Sequence, residues 1–156
     1  MTTETERGFV IRPATSTDAG EIGRLAGQLG YPAEANEIST RLELLLDRPN
    51  HFIAVAAGGE SEKDLVGWIA AEERDLLITS RQVEITGLVV DQAARSGGVG
   101  WMLVNAAERW AQERGLGCVV VRSNVVRAGS HPFYERLGYV RQKSQHVYRK
   151  VLPNTD

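Results

Sequence analysis

The chain carries a glycine-rich turn, residues 95–100, between an apolar strand and an amphipathic helix. The run Leu88, Val89 and Val90 is continuously apolar, which is typical of a buried strand. After the turn, apolar side chains recur every three or four residues as far as Trp110, which predicts a helix. A strand, a tight turn and a helix in this order are typical of a domain that packs helices against a sheet.

The turn is suited to bind a phosphate or pyrophosphate group. Glycines let the backbone approach a ligand closely, and the first N–H groups of a helix have no partner within it. Together with the helix dipole, these donors predict an anion site. The residues of that site are Arg95, Ser96, Gly97, Gly98, Val99 and Gly100. A plain left-handed loop before a helix is the alternative, while the patterns of the nucleotide P-loop and of the dinucleotide fingerprint are missing.

The rest of the pattern predicts the element order βααβββαβαβ. The predicted strands are residues 9–12, 51–57, 65–74, 83–91, 118–121 and one or two within 139–151. The predicted helices are residues 18–29, 38–46, 99–114 and 132–137. Gly87 lies inside the fourth predicted strand, where it indicates a β-bulge or a close approach of another group.

Composition limits the class of protein. The 156 residues carry a formal charge of −2, so no global field draws the chain to nucleic acid or to a membrane surface. Cys118 is the single cysteine, which excludes an internal disulfide framework; it is expected to be inert in a buried strand. The three histidines show no metal-ligand spacing, so no metal is expected. We expect one cytoplasmic domain over residues 1–156, with its core over about 9–151.

Two motifs in the expected order of elements resemble the GNAT superfamily of N-acetyltransferases. The turn resembles that family's R/Q-x-x-G-x-G/A signature, and residues 133–139, read as FYERLGY, resemble its FYE-x-LGF block. The resemblance implies an α/β (α+β) fold with a mixed, mostly antiparallel central sheet. That sheet would have six to seven strands flanked by about four helices, with the fourth and fifth strands splayed to hold acetyl-CoA.

The resemblance also implies how acetyl-CoA is bound. The backbone of Leu88, Val89 and Val90 would pair with the pantetheine arm, and the N–H groups of residues 96–100 would hold the pyrophosphate. Asn124, after the fifth strand, would bond the cofactor from the other side. A bulge at Gly87 would leave an N–H free to stabilise the oxyanion that develops at the thioester oxygen during attack.

Two groups are the candidate proton carriers. Tyr134 matches the tyrosine of the family block and is the candidate acid for the departing thiolate. Glu84 is the candidate base, because it lies four residues ahead of Leu88, where strand alternation predicts the same face. Glu72 and Glu73 are its rivals, and alternation places only one of them on the cleft side.

The expected function is transfer of acetyl from acetyl-CoA to a primary amine by direct attack in a ternary complex. The acceptor is a small molecule or a peptide, and the sequence leaves its identity open. His131 either lines the acceptor site or acts as a proton relay, or it is a capping or rim residue of a short helix. A homodimer is expected because it is common in the family. The alternatives are a GNAT-like sensor that binds acyl-CoA without turnover and a nucleotide- or phosphate-sugar-binding protein.

Overall fold

The structure is a computed structural model that describes residues 3–4, 8–31, 33–58, 64–95, 97–123 and 130–154. The chain divides into two compact units, Met1–Arg122 and Ser123–Asp156, and each is described by itself. The described helices include none that is both long and apolar enough to span a bilayer.

The first unit is built on one mixed sheet with the strand order β1-β2-β3-β4-β5-β6. The strands are β1 (Thr3–Glu4), β2 (Phe9–Pro13), β3 (His51–Gly58), β4 (Leu65–Arg74), β5 (Gln82–Val90) and β6 (Val119–Val121). All neighbouring pairs are antiparallel except β5 and β6, which are parallel. The second and third predicted strands, residues 51–57 and 65–74, with glycines and charged residues between them that predict a turn, are thus an antiparallel hairpin, β3 and β4.

Helices cover both faces of this sheet. They are α1 (Ala19–Gly27), α2 (Ala35–Leu46) and α3 (Val99–Glu113), with short 3-10 turns at Ser16–Asp18 and Gln92–Ala94. Buried residues of α1 and α2 pack in one cluster with Ile53, Val55 and Val89, which fixes the face of the sheet that these helices cover. The α3 residues Val99 and Leu103 approach Gly67, which belongs to the other face.

The second unit contains the helix α4 (Ser130–Arg136). Aromatic residues of this unit pack on one another. The ring of Tyr134 makes edge contacts with the rings of Phe133 and Tyr139, whose centroids lie 5.0 and 5.9 Å away respectively. The predicted short helix at residues 132–137 is thus confirmed, starting two residues earlier and ending one residue earlier.

Three predictions about the strands need correction. Residues 139–154 belong to no helix or strand; side chains such as Val147 (91% exposed) gain no burial there, and a lone extended segment without burial is not stable as a strand. Without the two-residue β1, the described sheet has five strands rather than the expected six to seven. Cys118 is exposed and precedes β6, whose residues are half-buried because β6 is the last strand in the sheet.

Candidate active site

The glycine-rich turn ends in a helix N-terminus that is open to a ligand. Gly98 is the residue before α3 and has φ 87°, a left-handed conformation that side chains with a Cβ disfavour. Among the described residues no side chain caps this end of α3. The N–H of Gly97 donates to the carbonyl oxygen of Ala94 at 3.3 Å, so the N–H groups that keep their hydrogen-bonding capacity are those at the start of α3 itself. Arg95 is exposed next to the turn, while Ser96 lies outside the described residues.

Close packing sets the position of this helix end. A Cβ at Gly67 of β4 would lie 2.9 Å from the carbonyl oxygen of Val89 and 3.1 Å from a methyl carbon of Val99. Because only a glycine fits in this space, α3 begins directly against β4 and β5. The N-terminus of α3 is therefore held at the end of β5.

Polar contacts from α1 and from Gln28, the residue after it, hold the start of the same turn. The carboxylate of Asp91, just after β5, accepts bonds from the backbone N–H of Ala93 at 3.0 Å and from Arg24 at 3.3 Å. The amide of Gln28 bonds Asp91 and accepts a bond from the backbone N–H of Gln92. The bond from Ala93, followed by those from Gln28 and Arg24, outweighs burial and lowers the pKa of Asp91 below 3.8.

In the described part of the chain, the second half of β5 has one edge without a strand partner. β6 pairs with β5 only at Val83, Glu84 and Ile85. From Thr86 to Val90, β5 pairs with β4 on one side and with no described residue on the other. Backbone groups on that side are available to an extended ligand, as in the addition of a strand to a sheet edge.

The bulge expected at Gly87 occurs one residue earlier. Ile85 and Gly87 pair with the consecutive residues Ala71 and Ala70, so Thr86 is the extra residue of β5. Gly87 meets the second expectation, a close approach, because a Cβ there would lie 2.8 Å from the ring of Trp68.

This bulge overturns the prediction that Glu84 and Leu88 share a face. Glu84 pairs with Glu72, whereas Leu88 pairs with Ile69, which is three positions away on the regular strand β4. Residues an odd number apart on a strand point to opposite faces. The extra residue Thr86 therefore places Leu88 on the face of α3 and Glu84 on the face of α1 and α2.

Glu84 lies in a cluster of charged side chains on that face. It is 7% exposed, and its Oε1 accepts hydrogen bonds from Arg74 Nη1 at 3.1 Å and from Arg122 Nε at 3.2 Å. Glu72 Oε1 lies 3.8 Å from Arg74 Nε, and Glu72 Oε2 lies 3.7 Å from His51 Nε2. Among the described residues, Oε2 of Glu84 takes no hydrogen bond.

The two alternative carboxylates, Glu72 and Glu73, lie on opposite faces of the sheet. Glu72 is paired with Glu84, so both side chains leave the sheet on the same side. Glu73 is paired with Val83 and points to the side of α3, where Arg114 and Arg81 form ion pairs with it. Glu72 is thus the candidate that accompanies Glu84.

Sequence reasoning missed the two arginines of this cluster. Arg74 ends β4 and Arg122 follows β6, 48 positions apart in the printed sequence. The alternation of Glu72 with Arg74 was the one available signal, because residues two apart on a strand share a face. Nothing local indicated Arg122, which reaches Glu84 only because β6 pairs with β5.

The second unit holds the remaining candidates. Tyr134 lies in α4 and is partly buried, and His131 lies in the same helix. Asn124 is outside the described residues. The first unit brings together the turn, the β5 edge and Glu84; the second carries Tyr134.

Comparison with known proteins identifies the family. The model of the acetyltransferase (GNAT) family matches residues 21–139, which is more than half of the chain. A relative in Bacillus subtilis (strain 168), described as the uncharacterized N-acetyltransferase YhdJ, is 36% identical over 113 residues. The match spans 72% of this chain and 76% of that protein.

Solved structures share the fold. The aminoglycoside N-acetyltransferase AAC(6′)-Iy, crystallised with CoA, has a TM-score of 0.80 and 20% identity, with 96% of each chain covered. The aminoglycoside 6′-N-acetyltransferase AAC(6′)-Ih from Acinetobacter baumannii has a TM-score of 0.79 and 17% identity, covering 94% of this chain and 100% of that one. These likenesses support the mixed α+β fold. Together with the family match, they lead to one conclusion: the chain belongs to the acetyltransferase (GNAT) family and is an acetyltransferase.

Proposed function

We propose that this chain transfers an acetyl group from acetyl-CoA to a primary amine by direct attack in a ternary complex. The observation that carries the proposal is the family's glycine turn at the N-terminus of α3, next to the half of β5 that has one edge without a described strand partner. Glu84 lies on the same strand, before the bulge. These features combine an anion site, a strand edge and a carboxylate within one unit.

The turn and the strand edge would each bind a different part of acetyl-CoA. The N–H groups at the start of α3 and Arg95 hold the pyrophosphate, where the helix dipole favours negative charge; of the expected donors over residues 96–100, the N–H of Gly97 donates to Ala94 instead. The backbone of Leu88, Val89 and Val90 pairs with the amides of the pantetheine arm. The bulge at Thr86 interrupts the pairing of β5 and supplies an N–H for the thioester oxygen. Asn124 bonds the arm from the other side, as the family resemblance implies.

The chemistry requires the ammonium group to lose one proton before attack and the nitrogen to lose a second after attack, while the departing thiolate gains one; the second proton restores the group that protonates the thiolate. The amine nitrogen attacks the thioester carbon, the new C–N bond forms and the C–S bond breaks, so that CoA leaves as a thiolate. Glu84 accepts the proton that the ammonium group loses, directly or through a water, and Glu72 is its alternative. Tyr134 gives a proton to the thiolate, a role that rests on the family block at residues 133–139.

The test measures free CoA thiol released from acetyl-CoA across a panel of amines, with Tyr134→Phe alongside. Release that depends on an amine and falls about 100-fold in the variant supports the proposal. Binding of acetyl-CoA without release for any amine favours the sensor alternative. Thermal stabilisation by a nucleotide alone, with no added effect of the pantetheine arm, favours a nucleotide-binding protein.

The oligomeric state of the protein and its location in the cell remain predictions. We propose a homodimer because homodimers are common in the family. We propose a cytoplasmic location because a chain with one cysteine cannot form an internal disulfide bond. Sedimentation at working concentration checks the first, and a monomer there contradicts it.

A further inference from the structure

The charges around Glu84 are balanced rather than uniformly acidic. Two carboxylates, Glu84 and Glu72, stand beside two guanidinium groups, those of Arg74 and Arg122. An amine acceptor that enters this cluster meets positive as well as negative charge. Like charges placed side by side lower affinity, so this arrangement disfavours an acceptor that carries positive charge alone.

Arg74 is placed to meet a second group on the acceptor. Its side chain is 37% exposed, and its Nη1 donates to Glu84 Oε1. In the part of the chain that the structure describes, Nη2 of Arg74 takes part in no hydrogen bond. A guanidinium presents several donors in one plane, so Arg74 can hold Glu84 with one nitrogen and bind a carboxylate with another.

From this geometry we infer that the amine acceptor carries its own carboxylate close to the reacting nitrogen, as an α-amino acid does. This inference rests on the proposed acetyl transfer. The ammonium group lies against Oε2 of Glu84, and the carboxylate lies against Nη2 of Arg74. In an α-amino acid the ammonium and carboxylate groups are attached to the same carbon. The ammonium group can therefore lie beside Glu84 while the carboxylate lies beside Arg74, whose Nη1 is 3.1 Å from Glu84 Oε1.

The experiment compares amino acids with the amines obtained by removing their carboxylate, such as phenylalanine with phenethylamine and tyrosine with tyramine. The readout is the release of CoA thiol from acetyl-CoA by the full chain, at equal concentrations of unprotonated amine. We expect at least one amino acid to have a kcat/KM roughly 10- to 100-fold above that of its amine, the range of a charge-assisted hydrogen bond. Its carboxamide, which has no negative charge, should behave like the amine.

The matched variants are Arg74→Gln and Arg81→Gln. Arg81 lies just before β5, and its ion pairs go to Asp75 and Glu73, away from the cluster. Arg74→Gln should reduce the preference for the amino acid by about tenfold or more, whereas Arg81→Gln should keep that preference. Thermal melts of both variants establish that they are folded.

Two results would overturn the inference while leaving acetyl transfer in place. One is that the amines react as well as the amino acids; the other is that Arg74→Gln lowers the rates for both members of a pair by the same factor. If folded wild-type protein releases no thiol with any acceptor, the proposed function itself fails, and this inference fails with it.

Discussion

Glu72 and Glu84 face each other across β4 and β5, and both carboxylates leave the sheet on the side of α1 and α2. Arg74 links them, since it lies within 4 Å of both side chains. Glu73, although adjacent to Glu72 in sequence, is on the opposite side with Arg114. The proposed proton acceptor and its alternative are therefore neighbours, and Glu73 is separated from them by the sheet.

Replacing Glu84 should impair catalysis more than stability. We expect Glu84→Gln to lower kcat/KM by about 100-fold or more, because the variant cannot accept the ammonium proton. The acid limb of the pH profile should change at the same time. Steady-state kinetics over a range of pH checks both effects.

Glu73→Gln is the matched control. Its carboxylate is 8% exposed and paired with Arg114, so its loss should lower the melting temperature and leave kcat/KM per folded molecule close to wild type. An equal loss of turnover in the two variants would speak against Glu84, and a larger loss in Glu72→Gln would move the role to Glu72.

Gly87→Ala should destabilise the first unit. The added methyl group would lie 2.8 Å from the ring of Trp68, so either the ring or β5 must move. We expect a decrease of about 1–3 kcal/mol in the free energy of unfolding, measured in urea.

Gly20→Ala in α1 is its control, since apart from its chain neighbours and the backbone of its own helix nothing lies within 4 Å of the added Cβ. This variant should gain about 0.5–1 kcal/mol from helix propensity. If the double variant Gly87→Ala, Trp68→Leu is no more stable than expected from independent sites, the contact with the indole is not the cause of the loss.

Asp91→Asn should weaken acetyl-CoA binding. The change weakens the bonds from Arg24 and Ala93 that hold the start of the glycine turn. We expect the KM for acetyl-CoA to rise about 3- to 10-fold, with a smaller change in kcat at saturation. Asp75→Asn, at an exposed ion pair with Arg81, should leave this KM as it is. A fall in kcat alone would contradict a positioning role for Asp91.

Asp18 should make the first unit sensitive to acid. Burial raises its pKa, but hydrogen bonds from Arg12 and Thr15 outweigh this, so the pKa in the folded state is below the usual 3.8. Stability from a lowered carboxyl pKa is fully present above the unfolded value and is lost as the pH falls through the folded one. The free energy of unfolding should therefore decline below about pH 3.8.

Asp18→Asn tests this origin of the acid sensitivity. The variant should be less stable by about 2 kcal/mol at neutral pH, because it lacks the charged bonds to Arg12. Its stability should also change less with pH in the acid range. A variant with the same acid profile as wild type would show that other carboxyl groups cause the decline.

The bulge in β5 shows where reading a sequence reaches its limit. Gly87 correctly indicated an irregularity in this strand, and the structure has one at Thr86. The same interruption changes the alternation, so Glu84 and Leu88 lie on opposite faces although they are four residues apart. Counting by two works only while each residue of a strand has one partner.

Local sequence was sufficient for the glycine turn before α3 and for the hairpin of β3 and β4, and the turn together with the block at residues 133–139 was sufficient for the family. Each depends on residues close together in the chain, where conformational preference and hydrophobic period act directly. The face of Glu72, the convergence of Arg74 and Arg122 on Glu84, and the lack of a strand within residues 139–154 depend on which distant segments pair. Strand pairing joins residues far apart in sequence, so these features arise only when the sheet has assembled.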